Sequence, residues 1–371
     1  MDKDFAYWKK IHDTSSLEEF NKSDIGQFWL KLKSIIRPEL IKVFINENDI
    51  KLNSSTSTKQ FEELFDILSK NVSKSHKILD HYILKKNIAV LSELNMDTLV
   101  SELYKLQVFE WGGDNKNSLD KYLISHYVKT IKSYDLLNSK FETEINHAVK
   151  GYVLNSWYNH WSSILIEHIF KSHSRVLPTV GQIKYVDFFI NNIPYDLKVT
   201  YFPAEYLKLK RKEKGLPVEL TYLKSKAKEM NIAFDKKASS SSIYYEIIEK
   251  MKDKNTKECL DVIKFLKEEN LSIVNDAKNN PKDLSKWLYE NQGEMRFGSE
   301  NRLFVVLIDT DTTNFANSWK LKRNIDLLTP TINQFLDNFT EERIKNLNID
   351  FNYPGKAKTF HSLADIIFVI K

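Results

Sequence analysis

Residues 184–200 contain the pattern that most constrains how this chain can fold. The stretch reads KYVDFFINNIPYDLKVT, and Asn191-Asn192 at its centre suits a two-residue hairpin turn, because Asn tolerates the positive φ angles of tight turns. With this turn, Phe189 lies opposite Pro194 in a pair that needs no ladder donor, so the proline fits the register. The sequence therefore predicts two antiparallel strands with one defined register.

The two faces of this predicted hairpin differ in chemistry. Asp187 lies across from Asp196 on one face, where paired Cβ atoms are about 4.5–5.5 Å apart and like charges are destabilising. A positive charge is therefore expected between them, supplied by Lys198 or by a divalent cation such as Mg²⁺, which uses one or two protein carboxylates. Because side chains alternate along a strand, the other face collects apolar residues. They are Val186, Phe188, Ile190, Ile193, Tyr195, Leu197 and Val199.

Asp187, eight intervening residues and then Asp196-Leu197-Lys198 resemble the PD-(D/E)XK signature of restriction-endonuclease-like nucleases. In that signature the first acid and the (D/E)XK triplet lie on adjacent strands of one hairpin. Val186 stands where the signature has proline. The specificity of this pattern comes from the hairpin register, the alternation and the flanking elements.

The resemblance implies a catalytic, metal-binding site. Asp187 and Asp196 are expected to bind Mg²⁺, the backbone carbonyl of Leu197 is expected to contribute a further ligand, and Lys198 is expected to act in catalysis. Such nucleases often take another acid from the helix before the first strand, which makes Glu167 the candidate; a solvated helix flank is the alternative for this residue. The alternative for the whole set is an exposed hairpin face on which Lys198 forms an ordinary salt bridge.

The chain before the hairpin predicts a helix followed by a strand. Ser139–Phe170 has an apolar stripe at helical spacing and is expected to be one long helix or two abutting ones, and Glu167 lies near its end. Arg175–Val180 predicts a short strand, and Gly181 permits a bend into a second strand over Gln182–Ile190.

Two continuous apolar runs after the hairpin predict buried strands. Arg302–Asp309 and Ala364–Ile370 are typical of strands covered on both faces of a sheet, and residues 321–339 between them predict a helical crossover. The order of elements predicts an α/β fold, with a restriction-endonuclease-like core whose mixed β-sheet is flanked by helices.

Two helical regions surround this predicted core. Apolar residues at helical spacing dominate the N-terminal region, where Ile25–Ile45 is expected to be one helical segment and Trp111–Asp114 a break. The predicted domains are a helical N-terminal region (1–138), a catalytic core (139–204 and 300–371) and a basic helical insertion (205–299).

The insertion is the expected DNA-contacting region. Between residues 205 and 238 ten Lys or Arg face five acids, and this surplus equals the net charge of the chain, +5. Clustered cations directly after the candidate site are the footprint of a phosphate-backbone partner. The alternative is a solvated helical face.

Composition narrows the class of protein. Cys259 is the single cysteine, which excludes an intramolecular disulfide and a multi-cysteine zinc site and is consistent with a reducing compartment. The sequence has no apolar run of membrane-spanning length, and its first residues lack a signal-peptide core. Because it also lacks a Gly-rich phosphate loop, no nucleotide cofactor is expected. These features indicate a cytoplasmic protein without membrane contact.

Together these patterns predict a Mg²⁺-dependent endodeoxyribonuclease that cleaves double-stranded DNA. A type II restriction endonuclease acting as a homodimer on a palindromic site is the first expectation. The alternatives are a nuclease subunit of another defence or mobile-element system, and a non-catalytic nucleic-acid-binding module with the same fold.

Overall fold

A computed structural model describes residues 4–14, 17–109, 118–291, 299–311, 315–353 and 355–371. The expected break at residues 111–114 lies outside these ranges. No helix in the described ranges is long and apolar enough to cross a membrane.

The N-terminal region is helical, as predicted. Its α-helices are α1 (Phe5–Asp13), α2 (Glu18–Asn21), α3 (Asp24–Lys33), α4 (Pro38–Glu47), α5 (Ser57–Leu68), α6 (Val72–Glu93), α7 (Met96–Tyr104), α8 (Leu119–Leu123) and α9 (Tyr134–Lys140). The prediction of one segment over Ile25–Ile45 was wrong, because Pro38 starts a new helix at its first position, where no amide donor is needed.

The long predicted helix is present and leads into the sheet. A π-helical turn at Phe141–Ile145 precedes α10 (Asn146–Lys171), and β1 (Val176–Ile183) follows. The prediction of a strand over Gln182–Ile190 was wrong, because Lys184 and Tyr185 form a turn and Tyr185 has a φ of 67°. The second strand, β2 (Val186–Ile190), begins after that turn.

Gly181 has a different role from the predicted bend. A Cβ atom on Gly181 would lie 2.3 Å from the carbonyl oxygen of Ser34, which directly follows α3. Only glycine permits this approach, so the end of β1 packs against the C-terminal end of α3.

The sheet is mixed and contains six strands in the order β1-β2-β3-β4-β6-β5. The pairs β3–β4 and β4–β6 are parallel, and the remaining neighbours are antiparallel. The strands after β2 are β3 (Ile193–Tyr201), β4 (Arg302–Ile308), β5 (Asn348–Asn352) and β6 (Thr359–Ile370). The two predicted buried strands therefore pair as parallel neighbours in the centre of the sheet, while β5 was not predicted.

Helices cover both faces of the sheet. On one face α10 and the crossover helix α16 (Ile325–Asp337) pack against β2, β3, β4 and β6. On the other face lie helices of the insertion, which comprises α11 (Ala204–Glu213), α12 (Glu219–Glu229), α13 (Ser240–Lys254), α14 (Lys257–Asn279) and α15 (Pro281–Asn291). The short α17 (Glu341–Lys345) precedes β5. The chain is thus an α/β protein with a large N-terminal helical region and a six-stranded mixed sheet.

One residue of the predicted apolar face packs elsewhere. Phe188 and Tyr195 contribute to the core beneath α10, as expected. Val186 instead joins Phe189 in the core of the N-terminal helices. The turn at Tyr185, directly before Val186, was not indicated by the sequence pattern.

Candidate active site

The β2–β3 hairpin has the predicted register. Phe189 pairs with Pro194, Ile190 pairs with Ile193, and the turn residues Asn191 and Asn192 have φ angles of 49° and 68°. The Asn-Asn turn and the strict alternation of side chains are therefore sufficient to define this hairpin.

The hairpin ladder ends just before the two aspartates. Its last pair is Phe188 with Tyr195, and the predicted pairing of Asp187 with Asp196 does not continue it. Instead, the backbone N–H of Leu197 donates a hydrogen bond to Oδ2 of Asp187 at 2.7 Å. The side chain of Asp187 thus takes the place of a backbone acceptor on β2. We call this end of the hairpin the β2–β3 gap, defined by residues 187 and 196–198.

The peptide of Leu197 faces this gap. The N–H of Asp196 points the other way, toward β4, where it donates to the carbonyl oxygen of Asn301 at 2.9 Å. Successive peptide groups of a strand alternate in direction, and a residue's N–H and C=O point to the same neighbour. The carbonyl of Leu197 is therefore directed to the same side as Asp187, as the resemblance implies for a metal ligand.

Asp196 is a buried carboxylate that contacts two cations. Its side chain is 7% exposed; Oδ1 accepts a hydrogen bond from Nζ of Lys198 at 2.8 Å, and Oδ2 accepts one from Nε of Arg302 at 3.2 Å. The side chain of Lys198 is 37% exposed. The salt bridge of the alternative interpretation is therefore present, but it lies on a buried acid and not on an exposed hairpin face.

Arg302 belongs to a buried network that the sequence analysis missed. Nη2 of Arg302 donates to Oε2 of Glu300 at 3.1 Å, and the side chains of both residues are almost fully buried. The guanidinium lies 4.7 Å from the ring centroid of Tyr289, whose hydroxyl donates to the carbonyl of Glu300 at 2.6 Å. The available signal was Arg302 itself, a charged residue at the start of a strand that is otherwise apolar.

Asp187 has an unusually high proton affinity. Burial, joined by the negative charges of Asp196 and Glu167, raises the pKa of its carboxyl to about 6. The hydrogen bond from Leu197 and the charge of Lys198 oppose this shift only in part. The ionised form of Asp187 is thus disfavoured by burial and by nearby negative charge, and a bound cation would favour it.

Glu167 lies close enough to act on Asp187 but has its own partner. It is positioned by the last turns of α10, and Oε2 accepts a hydrogen bond from Nζ of Lys171 at 2.8 Å, in an i,i+4 pair with both side chains partly exposed. Its charge contributes to the raised pKa of Asp187. The structure therefore brings Glu167 near the gap. Its ion pair with Lys171 fits either interpretation of this residue, a further acid for the metal or a solvated helix flank.

The donor set at the gap fits a cation that needs few protein ligands. Among the described residues, no group of three or more His, Cys, Asp or Glu side chains is arranged to hold a metal ion. Mg²⁺ commonly takes one or two carboxylates and completes its shell with water and substrate phosphate. The carboxylates of Asp187 and Asp196, with the Leu197 carbonyl beside them, fit such an open site and not a closed metal cage.

The basic insertion offers fewer available cations than its composition suggests. Lys208, Lys210, Lys214 and Lys226 each form an ion pair with a nearby acid. Arg211 is fully buried and donates to the carbonyl of Pro217 and to Asn270. Half of the ten cations of residues 205–238 are therefore already engaged within the protein.

Comparisons with protein-family models, with curated proteins and with solved structures give no match for this chain. Any assignment of function therefore depends on the chemistry of the β2–β3 gap.

Proposed function

We propose that this chain is a Mg²⁺-dependent endodeoxyribonuclease that cleaves phosphodiester bonds of double-stranded DNA, and that it acts as a sequence-specific type II restriction endonuclease. The single observation that carries the proposal is the β2–β3 gap, where two aspartates and a lysine with the spacing of the PD-(D/E)XK signature meet at the point where the strand ladder stops.

Asp187, Asp196 and the backbone carbonyl of Leu197 would hold the metal, with Glu167 as a further acid. When bound, Mg²⁺ supplies a Lewis acid and a water of lowered pKa. Asp187 must lose its proton to serve as a ligand, so its raised pKa makes the site more effective as pH rises past about 6.

Lys198 would stabilise the negative charge that develops on the scissile phosphate. Its amine is held at 2.8 Å from Asp196 and its side chain is partly exposed, so we expect it to meet an arriving phosphate at the edge of the gap. A fixed cation at the reacting centre stabilises the transition state more than the ground state. Arg302 keeps the second oxygen of Asp196 in place from the protein side.

The activity test uses unmethylated plasmid DNA incubated with the purified protein and Mg²⁺. We expect discrete fragments, no cleavage in EDTA, and no cleavage by Asp187→Asn. Random degradation, or cleavage that needs added partner proteins, favours the nuclease subunit of another defence or mobile-element system. A homodimer is expected because two sites are needed to cut both strands of a palindrome, and sedimentation of the protein with its DNA site tests this.

One observation favours a second candidate function. The charge of Asp196 is already balanced by Lys198 and Arg302 without any metal, which suits a nucleic-acid-binding module that has kept the fold but lost catalysis. DNA binding without cleavage under any divalent cation would select this candidate.

A further inference from the structure

Three lysines from separate elements converge beside the β1–β2 turn. Lys9 lies on α1, Lys33 lies in the last turn of α3, and Lys184 forms part of the turn itself. We call these three residues the turn cluster. They are far apart in sequence, and none of them belongs to the basic insertion.

Backbone packing brings the turn cluster together. The near contact of Gly181 with the carbonyl of Ser34 joins the end of β1 to the end of α3. Lys33 is adjacent to Ser34 in sequence, and Lys184 follows Gly181 by three residues. Helix α1 completes the arrangement, because the ring of His12, one turn after Lys9, lies 5.5 Å from the ring of Trp29 on α3.

Aromatic rings support two of these ammonium groups. Nζ of Lys33 lies 5.5 Å from the ring centroid of Trp29 and 5.9 Å from that of Phe61. Nζ of Lys184 lies 4.6 Å from the ring of Tyr185. Cation–π contacts orient an ammonium group without neutralising its charge, so the positive charge stays available to a partner.

The charges of the cluster act against each other. Burial lowers the pKa of Lys33; Asp13 opposes this effect in part, and Lys9 adds to it. Burial also lowers the pKa of His12, the charges of Lys33 and Lys184 lower it further, and the hydrogen bond and charge of Asp13 oppose this shift. Lys33 and His12 are therefore subject to the positive charges of the cluster as well as to burial, with Asp13 as the opposing acid.

The turn cluster is also close to the gap. Lys184 precedes Asp187 by three residues, so their Cα atoms are at most about 11 Å apart. Phosphates of one duplex strand recur about every 3.4 Å along the helix axis. A duplex whose scissile phosphate lies in the gap therefore brings neighbouring phosphates within reach of the turn.

We infer that Lys9, Lys33 and Lys184 bind the phosphate backbone of double-stranded DNA next to the cleavage position. The inference rests on the proposed function for the placement of the duplex. It assigns DNA positioning to the N-terminal helical region and the β1–β2 turn, and not to the cations of residues 205–299 alone.

The test compares two variants in which two lysines are replaced. Lys9→Gln/Lys184→Gln changes two exposed residues of the cluster, so the fold is expected to be retained. Lys208→Gln/Lys226→Gln removes the same charge from ion pairs of the insertion and serves as the control. Binding of a labelled duplex is measured in EDTA over a series of salt concentrations, together with melting temperatures.

For the cluster variant we expect affinity at 0.1 M salt to fall at least tenfold. The slope of log K against log salt concentration should decrease by about 1.8, since each lost phosphate contact contributes about 0.9. The control should change affinity less than about threefold, and Lys9→Arg/Lys184→Arg should restore binding. Adding Lys33→Met to the cluster variant should weaken binding further.

The outcomes separate this inference from the proposed activity. Unchanged affinity and slope in the cluster variant overturn the inference even if the wild type cleaves DNA, and so does a wild type that does not bind duplex DNA. If the wild type binds through the cluster but no divalent cation supports cleavage, the phosphate contacts of the three lysines stand, and the proposed activity fails together with the placement of the duplex that rests on it.

Discussion

The carboxylates on the two sides of strand β3 have opposite surroundings. On the side of β4, Asp196 lies beside Arg302, which is itself held by Glu300 and Tyr289, and the parallel ladder is continuous. On the side of β2 the ladder stops, and Asp187 accepts one backbone hydrogen bond while its pKa rises to about 6. The β4 side has the matched charges of a protein core, whereas the β2 side has the perturbed acid of a candidate ligand site.

This difference separates stability from function. A buried acid with matched partners supports the fold, and removing a partner leaves an uncompensated charge. An acid with a raised pKa destabilises the folded state whenever it is ionised, and such groups occur where chemistry requires them. Changes on the β4 side should therefore lower stability, whereas changes on the β2 side should alter activity and metal binding without lowering stability.

The largest expected effect is on the β4 side. Arg302→Met leaves Asp196 and Glu300 buried without their shared cation, and we expect the free energy of unfolding to fall by about 3–5 kcal/mol. Chemical denaturation at pH 7.5 measures this. The control is Lys85→Met, which breaks the exposed pair with Glu47 and should have little effect; an equal effect of the two changes would remove the distinction between the sides.

The next effect is catalytic. Lys198→Ala should lower the rate of DNA cleavage by about 10²–10³-fold, because the fixed cation at the phosphate is lost. Metal binding and duplex affinity should be retained, since the aspartates remain. Single-turnover cleavage and binding assays separate these quantities, and cleavage at the wild-type rate would show that the lysine has no catalytic role.

A stability gain is expected at the gap. Asp187→Asn should raise the free energy of unfolding by about 2–3 kcal/mol at pH 8 in EDTA, because a carboxyl with a folded pKa of about 6 destabilises the native state once ionised. The folded state holds this proton more tightly than the unfolded state, so the penalty grows as pH rises from about 4 to 6. The gain at pH 4.5 should be much smaller, and denaturation at both pH values checks the sign.

The smallest effect concerns Glu167. Glu167→Gln removes a charge that raises the pKa of Asp187, so the pH at which cleavage is half-maximal should move lower. The maximal rate should fall about tenfold if this acid supports the metal shell. Glu268→Gln, in another i,i+4 pair, is the control, and an unchanged pH profile would assign Glu167 to the helix flank.

Much of the fold follows from local patterns. The hairpin was predicted because the Asn-Asn turn and the period-two alternation agree, and β4 and β6 were predicted from continuous apolar runs. Strand β5 was missed, since it is a short strand of five residues at the sheet edge in which apolar and polar side chains alternate. The turn at Tyr185 was also missed, because a positive φ at tyrosine is rare and has no sequence signal.

The candidate site was only partly predictable. Spacing on the hairpin indicated Asp187, Asp196 and Lys198, because they are local in sequence. Arg302 and Glu300 were not found, since their contact with Asp196 depends on the parallel pairing of β3 with β4 across about a hundred residues. The engagement of the insertion lysines was equally hidden, because ion pairs such as Lys214 with Asp276 depend on how the helices pack.

The central claim is that the β2–β3 gap binds a divalent cation through Asp187. Thermal unfolding of the wild type and of Asp187→Asn, with and without Mg²⁺ at pH 8, tests it most directly, because a ligand that binds the folded state raises the melting temperature. We predict a rise that grows with Mg²⁺ concentration in the wild type and is absent in Asp187→Asn. An equal response of the two proteins would contradict the claim.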